Sequence, residues 1–246
     1  MFSLLVVGVV RDIAPKPISM VIYLIKRLLR SLDKNLVKSD IFVYENNSVD
    51  YTKQLLKQCN KTFANFTYQT ETIPYISDRL QRIATARNKT FQYICENSSR
   101  YDYVLVIDLD LYEFSIDDVF PINVTNWNVL TANGQCRNNS VYYDWLALRL
   151  FNQNRLPTPF PDKAKRIALK THPSLSNLSH NDKPIPVWSA FAGMALYTIE
   201  SIIQCTMGYY PYNGWCGHVG LHNQIINMGG NIFIYPKLHT RWHSNT

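Results

Sequence analysis

The chain reads as one α/β domain, a mainly parallel central sheet flanked by helices with a smaller irregular region in its second half. Three observations predict this. Strand-like and helix-like stretches alternate through the first half with short connections, as βαβ units require. Tyr103–Ile107 is an unbroken apolar run, which marks a strand buried on both faces of a parallel sheet. A length of 246 residues with 46% hydrophobic content suits one domain with a full core.

Taken in order, Leu4–Val10 is the first strand. Ile18–Leu36 carries apolar residues at 18, 21, 22, 25, 28, 29, 32 and 36, the spacing of one helix face. Its basic residues fall largely on another face, a pattern that suits a helix covering a sheet better than one lying on a membrane. Ile41–Tyr44 is a second strand, and a helix follows through about Cys59. Phe66–Thr72 is a third strand, Asp78–Glu96 a long helix, and Tyr103–Ile107 the next strand. Beyond Asp118 the texture changes. Strands at Val129–Ala132 and Val187–Leu196 are separated by an irregular stretch, 152–186, rich in Pro, Asn and Lys. Such a long connection is expected to be functional and to move over the sheet edge. Helices near 197–205 and 218–228 and a strand at Ile232–Tyr235 complete the chain. No linker divides it, so 1–125 and 126–246 are expected to be halves of one domain.

A net charge of +7 and a pI near 9.1 point to an anionic partner. No run of five Lys/Arg occurs and no nucleic-acid signature interleaves the aromatics, so nucleic acid is not the expected partner. Five widely spaced cysteines without Cys-x-x-Cys read as reduced thiols of a cytosolic protein. The first ten residues lack a basic leader and are too short to cross a membrane, which fits a cytoplasmic location without a transmembrane segment.

The apolar run 103–107 ends in Asp108 and Asp110. Open α/β sheets bind ligands at the carboxyl ends of their strands, and two carboxylates there suit a hard divalent cation shared with substrate phosphates. Arg87 falls inside the apolar stripe of its helix (Leu80, Ile83, Ala84, Phe91, Ile94, Cys95) and so points inward, where it needs an anion. The anion is either a carboxylate such as Asp108 or Glu45, or a bound diphosphate. His239 and His243 follow the last strand, and either is a candidate third metal ligand. Cys216, His218 and His222 supply part of a zinc-like spacing, a weaker reading because the set is incomplete. The dinucleotide, P-loop and nucleophile-elbow motifs are absent.

These residues together resemble the GT-A glycosyltransferases, whose DxD motif matches Asp108-Leu-Asp110. More narrowly, the chain is similar to glycosyltransferases of large DNA viruses and to fungal capsule (α-1,3-mannosyltransferase-like) enzymes. The likeness is carried by Val43–Ser48, Arg82–Asn88, Tyr142–Arg149 and Cys216–His222, with an acidic residue of the relatives replaced by Gly217. It implies a GT-A-like fold and sugar transfer from a UDP- or GDP-linked donor to a glycan or glycoprotein, with Mn²⁺ or Mg²⁺ as cofactor. Asp108 and Asp110 are then the metal holders. Glu45, Asn47, Ser48, Arg79, Arg82, Arg87 and Asp108 are the expected donor-binding residues. Asp144 is the first candidate base for the acceptor hydroxyl and Asp182 the second. Trp188, Tyr209, Tyr210, Tyr212 and Trp215 are candidates to stack on acceptor sugars. If the enzyme is virus-encoded, its place of action is the host cytoplasm. The rival classes are a nucleotidyltransferase with the same metal site and a carbohydrate-binding protein derived from a transferase.

Overall fold

The computed structural model describes residues 2–13, 26–30, 38–111, 113–116, 122–136, 142–144, 146–151, 175, 178–210 and 216–242. Within them the chain is a mixed α/β domain built on one curled sheet. Its strands are β1 (Ser3–Val10), β2 (Lys38–Asn46), β3 (Phe66–Glu71), β4 (Tyr103–Ile107), β5 (Glu113–Ser115), β6 (Val129–Cys136), β7 (Ile185–Pro186), β8 (Met194–Thr198) and β9 (Ile232–Trp242). The order across the sheet is β3-β2-β1-β4-β8-β6-β9-β5, with β7 on β9.

Pairing is parallel from β3 through β4, as the βαβ alternation predicts. It reverses at β8, which lies antiparallel to both β4 and β6. Parallel pairing returns only between β6 and β9. The carboxyl ends of β1, β2 and β4 therefore share an edge with the start of β8, and the site stands where the strand direction changes.

The helices are α1 (Thr52–Thr62), α2 (Arg79–Asn97), α3 (Ile199–Ile203) and α4 (Gly217–Asn227), with a 3-10 turn at Ser98–Arg100. Asp78 caps α2 by accepting from the amide of Gln81 at 2.6 Å. The helix lies on the sheet through Ala84, Ala86, Thr90 and Ile94, and Tyr93 stacks on Phe42 of β2. Of the expected helix 18–36, residues 26–30 are helical, with Leu28 buried, and the rest lies outside the described residues.

Two expected strands differ from the structure. Val187–Leu196 is not one strand, because Ala192 (φ 54°) and Gly193 (φ 87°) turn the chain; Ser189 makes an isolated bridge to Arg149 and the strand begins only at Met194. Gly193 packs so closely on Trp242 and Leu111 that a side chain there would collide. The last strand runs on past Tyr235 to Trp242. Pro236, which has no N–H to donate, sits where β9 slips register against β6 between Ala132 and Asn133, so an apolar pattern ending at Tyr235 hid the second half. Of the irregular stretch, 152–174 and 176–177 lie outside the described residues, and with them most of the expected mobile connection. No helix among the described residues is long and apolar enough to cross a membrane.

Candidate functional site

A cleft of about 680 Å³ opens at the carboxyl ends of β1 and β4. It is lined by Asp12, Asn46, Tyr75, Arg79, Arg82, Arg87, Asp108, Asp110, Tyr143 and Asp144, and also by Phe191, Cys216, Gly217, His218 and Trp242. Strand, helix and loop residues from both halves of the chain meet there.

Arg87 reaches from α2 beneath the cleft, 9% exposed as a residue, and its Nη2 donates to Oδ1 of Asp108 at 3.2 Å. The inward helix register read from the sequence thus holds, and the anion is Asp108. The guanidinium also lies over the ring of Phe191, 5.1 Å from its centroid. Burial raises the Asp108 carboxyl above its usual range. Arg87 opposes that shift, and the nearby Asp110 and Asp144 carboxylates add to it. Around Asp108 itself, three carboxylates share one arginine, a local excess of negative charge that a divalent cation would relieve. Among the described residues no group of three His, Cys, Asp or Glu side chains forms a closed metal cage. Asp108 and Asp110, both in the cleft lining, are the residues that could hold an ion whose shell phosphate oxygens and water would complete.

A raised Asp108 means that protons compete with metal as pH falls toward its pKa. Added Mn²⁺ should therefore raise the melting temperature more at about pH 8 than at about pH 6. Measuring with and without metal at each pH cancels the contribution of groups remote from the ion. An increment independent of pH would place the metal elsewhere.

Asp144 lines the same cleft, but its oxygens are already engaged. Oδ2 accepts from the amide of Ala192 at 3.0 Å and Oδ1 from the amide of Ala147 at 3.3 Å. Ala192 is a strained left-handed residue, and its carbonyl accepts in turn from Thr240 Oγ1 (2.6 Å) and Trp242 Nε1 (3.3 Å). Next to it, Gly193 O accepts from the amide of Asp108 at 2.8 Å. Asp144 thus holds the turn that positions Asp108. Replacing it with Asn sets an N–H against one of these amides, so Asp144→Asn should lower the melting temperature by roughly 2–10 °C. An unchanged melt would mean that the carboxylate does not hold the turn.

The remaining expected residues are distributed unevenly. Arg79 and Arg82 line the cleft mouth, Arg82 with its Nη1 donating to the carbonyls of Ile76 and Ser77. Glu45, Asn47 and Ser48 stand behind the cleft wall rather than in it. Glu45 Oε1 accepts from the Ser48 amide (2.7 Å), Ser48 Oγ accepts from the Asp12 amide (3.0 Å), and Asn47 (φ 57°) pairs with both backbone groups of Ile73. They shape the loops that present Asp12 and Asn46. His239 is on β9, paired with β5 and β6, and is not in the cleft lining; His243 lies outside the described residues. Asp182 is exposed in a turn with Ser179, away from the cleft. Trp188 and Tyr209 are buried, Tyr210 is half-buried, and Tyr212 and Trp215 are outside the described residues. His222 has Nδ1 on Ser189 Oγ (2.8 Å) and Nε2 on Tyr197 Oη (2.9 Å), so neither nitrogen is left for a zinc ion.

Sequence reasoning did not single out Asp12, Tyr75, Phe191 and Trp242 as site residues. Asp12 and Tyr75 sit in loops just past β1 and β3, a position that could have drawn attention to them. Trp242 stacks on Tyr143 at 4.5 Å only because β9 continues beyond Pro236.

No family model matches the chain, and no curated protein does. Solved structures do. One is the mannosyltransferase PcManGT from Pyrobaculum calidifontis in complex with GDP-Man and Mn²⁺, with a TM-score of 0.54 over 97% of this chain at 13% identity. A second is GalNAc-T7 with UDP, GalNAc and Mn²⁺, with a TM-score of 0.56 over 99% of this chain, also at 13% identity. The fold is GT-A-like. This chain spans about half of each of these two structures, 56% and 44% of their lengths. The GT-A-like fold also extends to 4-diphosphocytidyl-2C-methyl-D-erythritol synthase from Anaerococcus prevotii, with a TM-score of 0.51 and 8% identity over 98% of this chain and 87% of that one.

Proposed function

We propose that the chain is a metal-dependent glycosyltransferase that moves a hexosyl or pentosyl group from a UDP- or GDP-linked donor to a glycan or glycoprotein. The observation that carries this is the meeting of Asp108, Asp110 and buried Arg87 in one cleft at the carboxyl ends of β1 and β4. The complexes of two structural neighbours, with GDP-Man and with UDP and GalNAc, each alongside Mn²⁺, support it.

In this reading residues 1–125 hold the donor and 126–246 the acceptor. Mn²⁺ or Mg²⁺ between Asp108 and Asp110 would offset charge on the leaving diphosphate. Arg87 holds Asp108 in place, and Arg79 and Arg82 draw the anionic donor into the mouth. Asp144, raised by burial and inside the cleft, is better placed than Asp182 to take the acceptor proton. The short sequence likenesses suggest an enzyme of the kind found in large DNA viruses and fungal capsule synthesis, working in the cytoplasm.

Nucleotidyl transfer is the second reading, favoured by the likeness to the cytidylyl enzyme. A screen of UDP- and GDP-sugars with Mn²⁺, scored for nucleoside diphosphate release in the presence of glycan acceptors, tests the proposal. Release of pyrophosphate from a nucleoside triphosphate would favour the second reading, and sugar binding without turnover would favour a carbohydrate-binding protein.

A further inference from the structure

Buried polar side chains are normally paired, so an orphan calls for a reason. His218 is 1% exposed, and neither Nδ1 nor Nε2 has a hydrogen-bond partner. His222, one turn further along α4 and equally buried, has both nitrogens engaged by Ser189 and Tyr197. The same helix and the same core thus satisfy one histidine and leave the other open. What separates them is location, because His218 lines the cleft and His222 does not.

The His218 ring is held in place. Phe191 stacks on its face at 3.6 Å and Tyr209 meets it edge-on at 5.3 Å. Phe191 is also the ring beneath Arg87, so His218 stands one aromatic ring away from the guanidinium that pairs with Asp108. Burial and the Arg87 charge keep the imidazole neutral. A neutral imidazole offers one donor and one acceptor, which is what a hydroxyl group also offers. A phosphate only accepts, so it would use the donor of a neutral imidazole and leave its acceptor unmatched.

We propose that His218 is a specificity-determining residue that hydrogen-bonds a hydroxyl of the sugar carried on the nucleotide diphosphate. The inference rests on the proposed glycosyl transfer. A sugar is joined to its diphosphate through a single oxygen. With the diphosphate at Asp108 and Asp110, a sugar extending along the cleft toward Phe191 would meet His218, which lines the same cleft.

Two measurements test it. Removing an orphan buried polar group should stabilise the chain, so His218→Leu should raise the melting temperature by about 2–4 °C, while His222→Leu, which breaks two hydrogen bonds, lowers it. Calorimetric titration with Mn²⁺ then compares UDP and GDP with UDP-glucose, UDP-galactose, UDP-N-acetylglucosamine and GDP-mannose. His218→Leu should weaken the nucleotide-sugar that the parent prefers by about tenfold or more and leave the matching nucleoside diphosphate within about twofold. His218→Gln, which keeps a donor and an acceptor, should recover part of the loss. Equal effects on diphosphate and nucleotide-sugar, no effect on either, or destabilisation of His218→Leu to match His222→Leu would each overturn the proposal. A parent protein that binds neither class of nucleotide would overturn the glycosyl-transfer reading itself.

Discussion

Asp110→Ala should abolish Mn²⁺-dependent nucleotide-sugar binding and turnover while leaving a folded protein. Asp110 is exposed in the cleft, just past the end of β4, so no core packing goes with its side chain. Its charge acts on Asp108, which it helps to hold above the ordinary carboxylate range. Removing it relieves repulsion in the metal-free protein and takes away one of the two oxygen-bearing side chains best placed to share an ion with phosphate. Surface substitutions of this kind usually change stability by within about 0.5 kcal/mol. Thermal melts, Mn²⁺ titration and turnover in EDTA check the three parts. Full activity in EDTA, or normal Mn²⁺ affinity in the variant, would remove the metal from the mechanism.

Arg87→Met should strongly destabilise the metal-free fold. The side chains of Arg87 and Asp108 are 11% and 22% exposed, and the guanidinium sits over the Phe191 ring in the cleft wall. Methionine fills the space but leaves Asp108 facing Asp110 and Asp144 with no cation among them. Breaking a buried pair in this way costs roughly 3–5 kcal/mol. Part of that loss is recoverable, because Asp108 can take up a proton, so the deficit should shrink as pH falls from about 8 toward 5. The sign follows from a carboxyl whose folded pKa is raised, since the protonated form is the one the fold then prefers. Chemical denaturation at several pH values measures this. A variant as stable as its parent at every pH would mean that the pair contributes nothing.

The fold was legible where burial is simple. The run 103–107 became β4 residue for residue, because a strand covered on both faces has no polar positions to blur its ends. The inward direction of Arg87 was legible from helical spacing alone, and so was the need for an anion. The reversal at β8 and the second half of β9 were not. Ala192 adopts a left-handed backbone just before Gly193, held by its amide donating to Asp144 and its carbonyl accepting from Thr240 and Trp242, residues that adjoin it only after folding.

The site divides in the same way. Spacing marked Asp108, Asp110 and Arg87, the resemblance added Asp144, and all four line one cleft. The resemblance also marked Glu45, Asn47 and Ser48, whose side chains bond neighbouring backbone; a polar turn after a strand looks alike in sequence whether its side chains face a ligand or that backbone. His218 and His222 are chemically identical and four residues apart, and no local pattern tells them apart. The sequence by itself determined that an apolar strand delivers two carboxylates to a sheet edge and that one arginine must follow them inward. Only the tertiary structure decided which histidine is satisfied and which faces the cleft, because hydrogen-bond partners such as Ser189 and Tyr197 come from strands and loops distant in sequence.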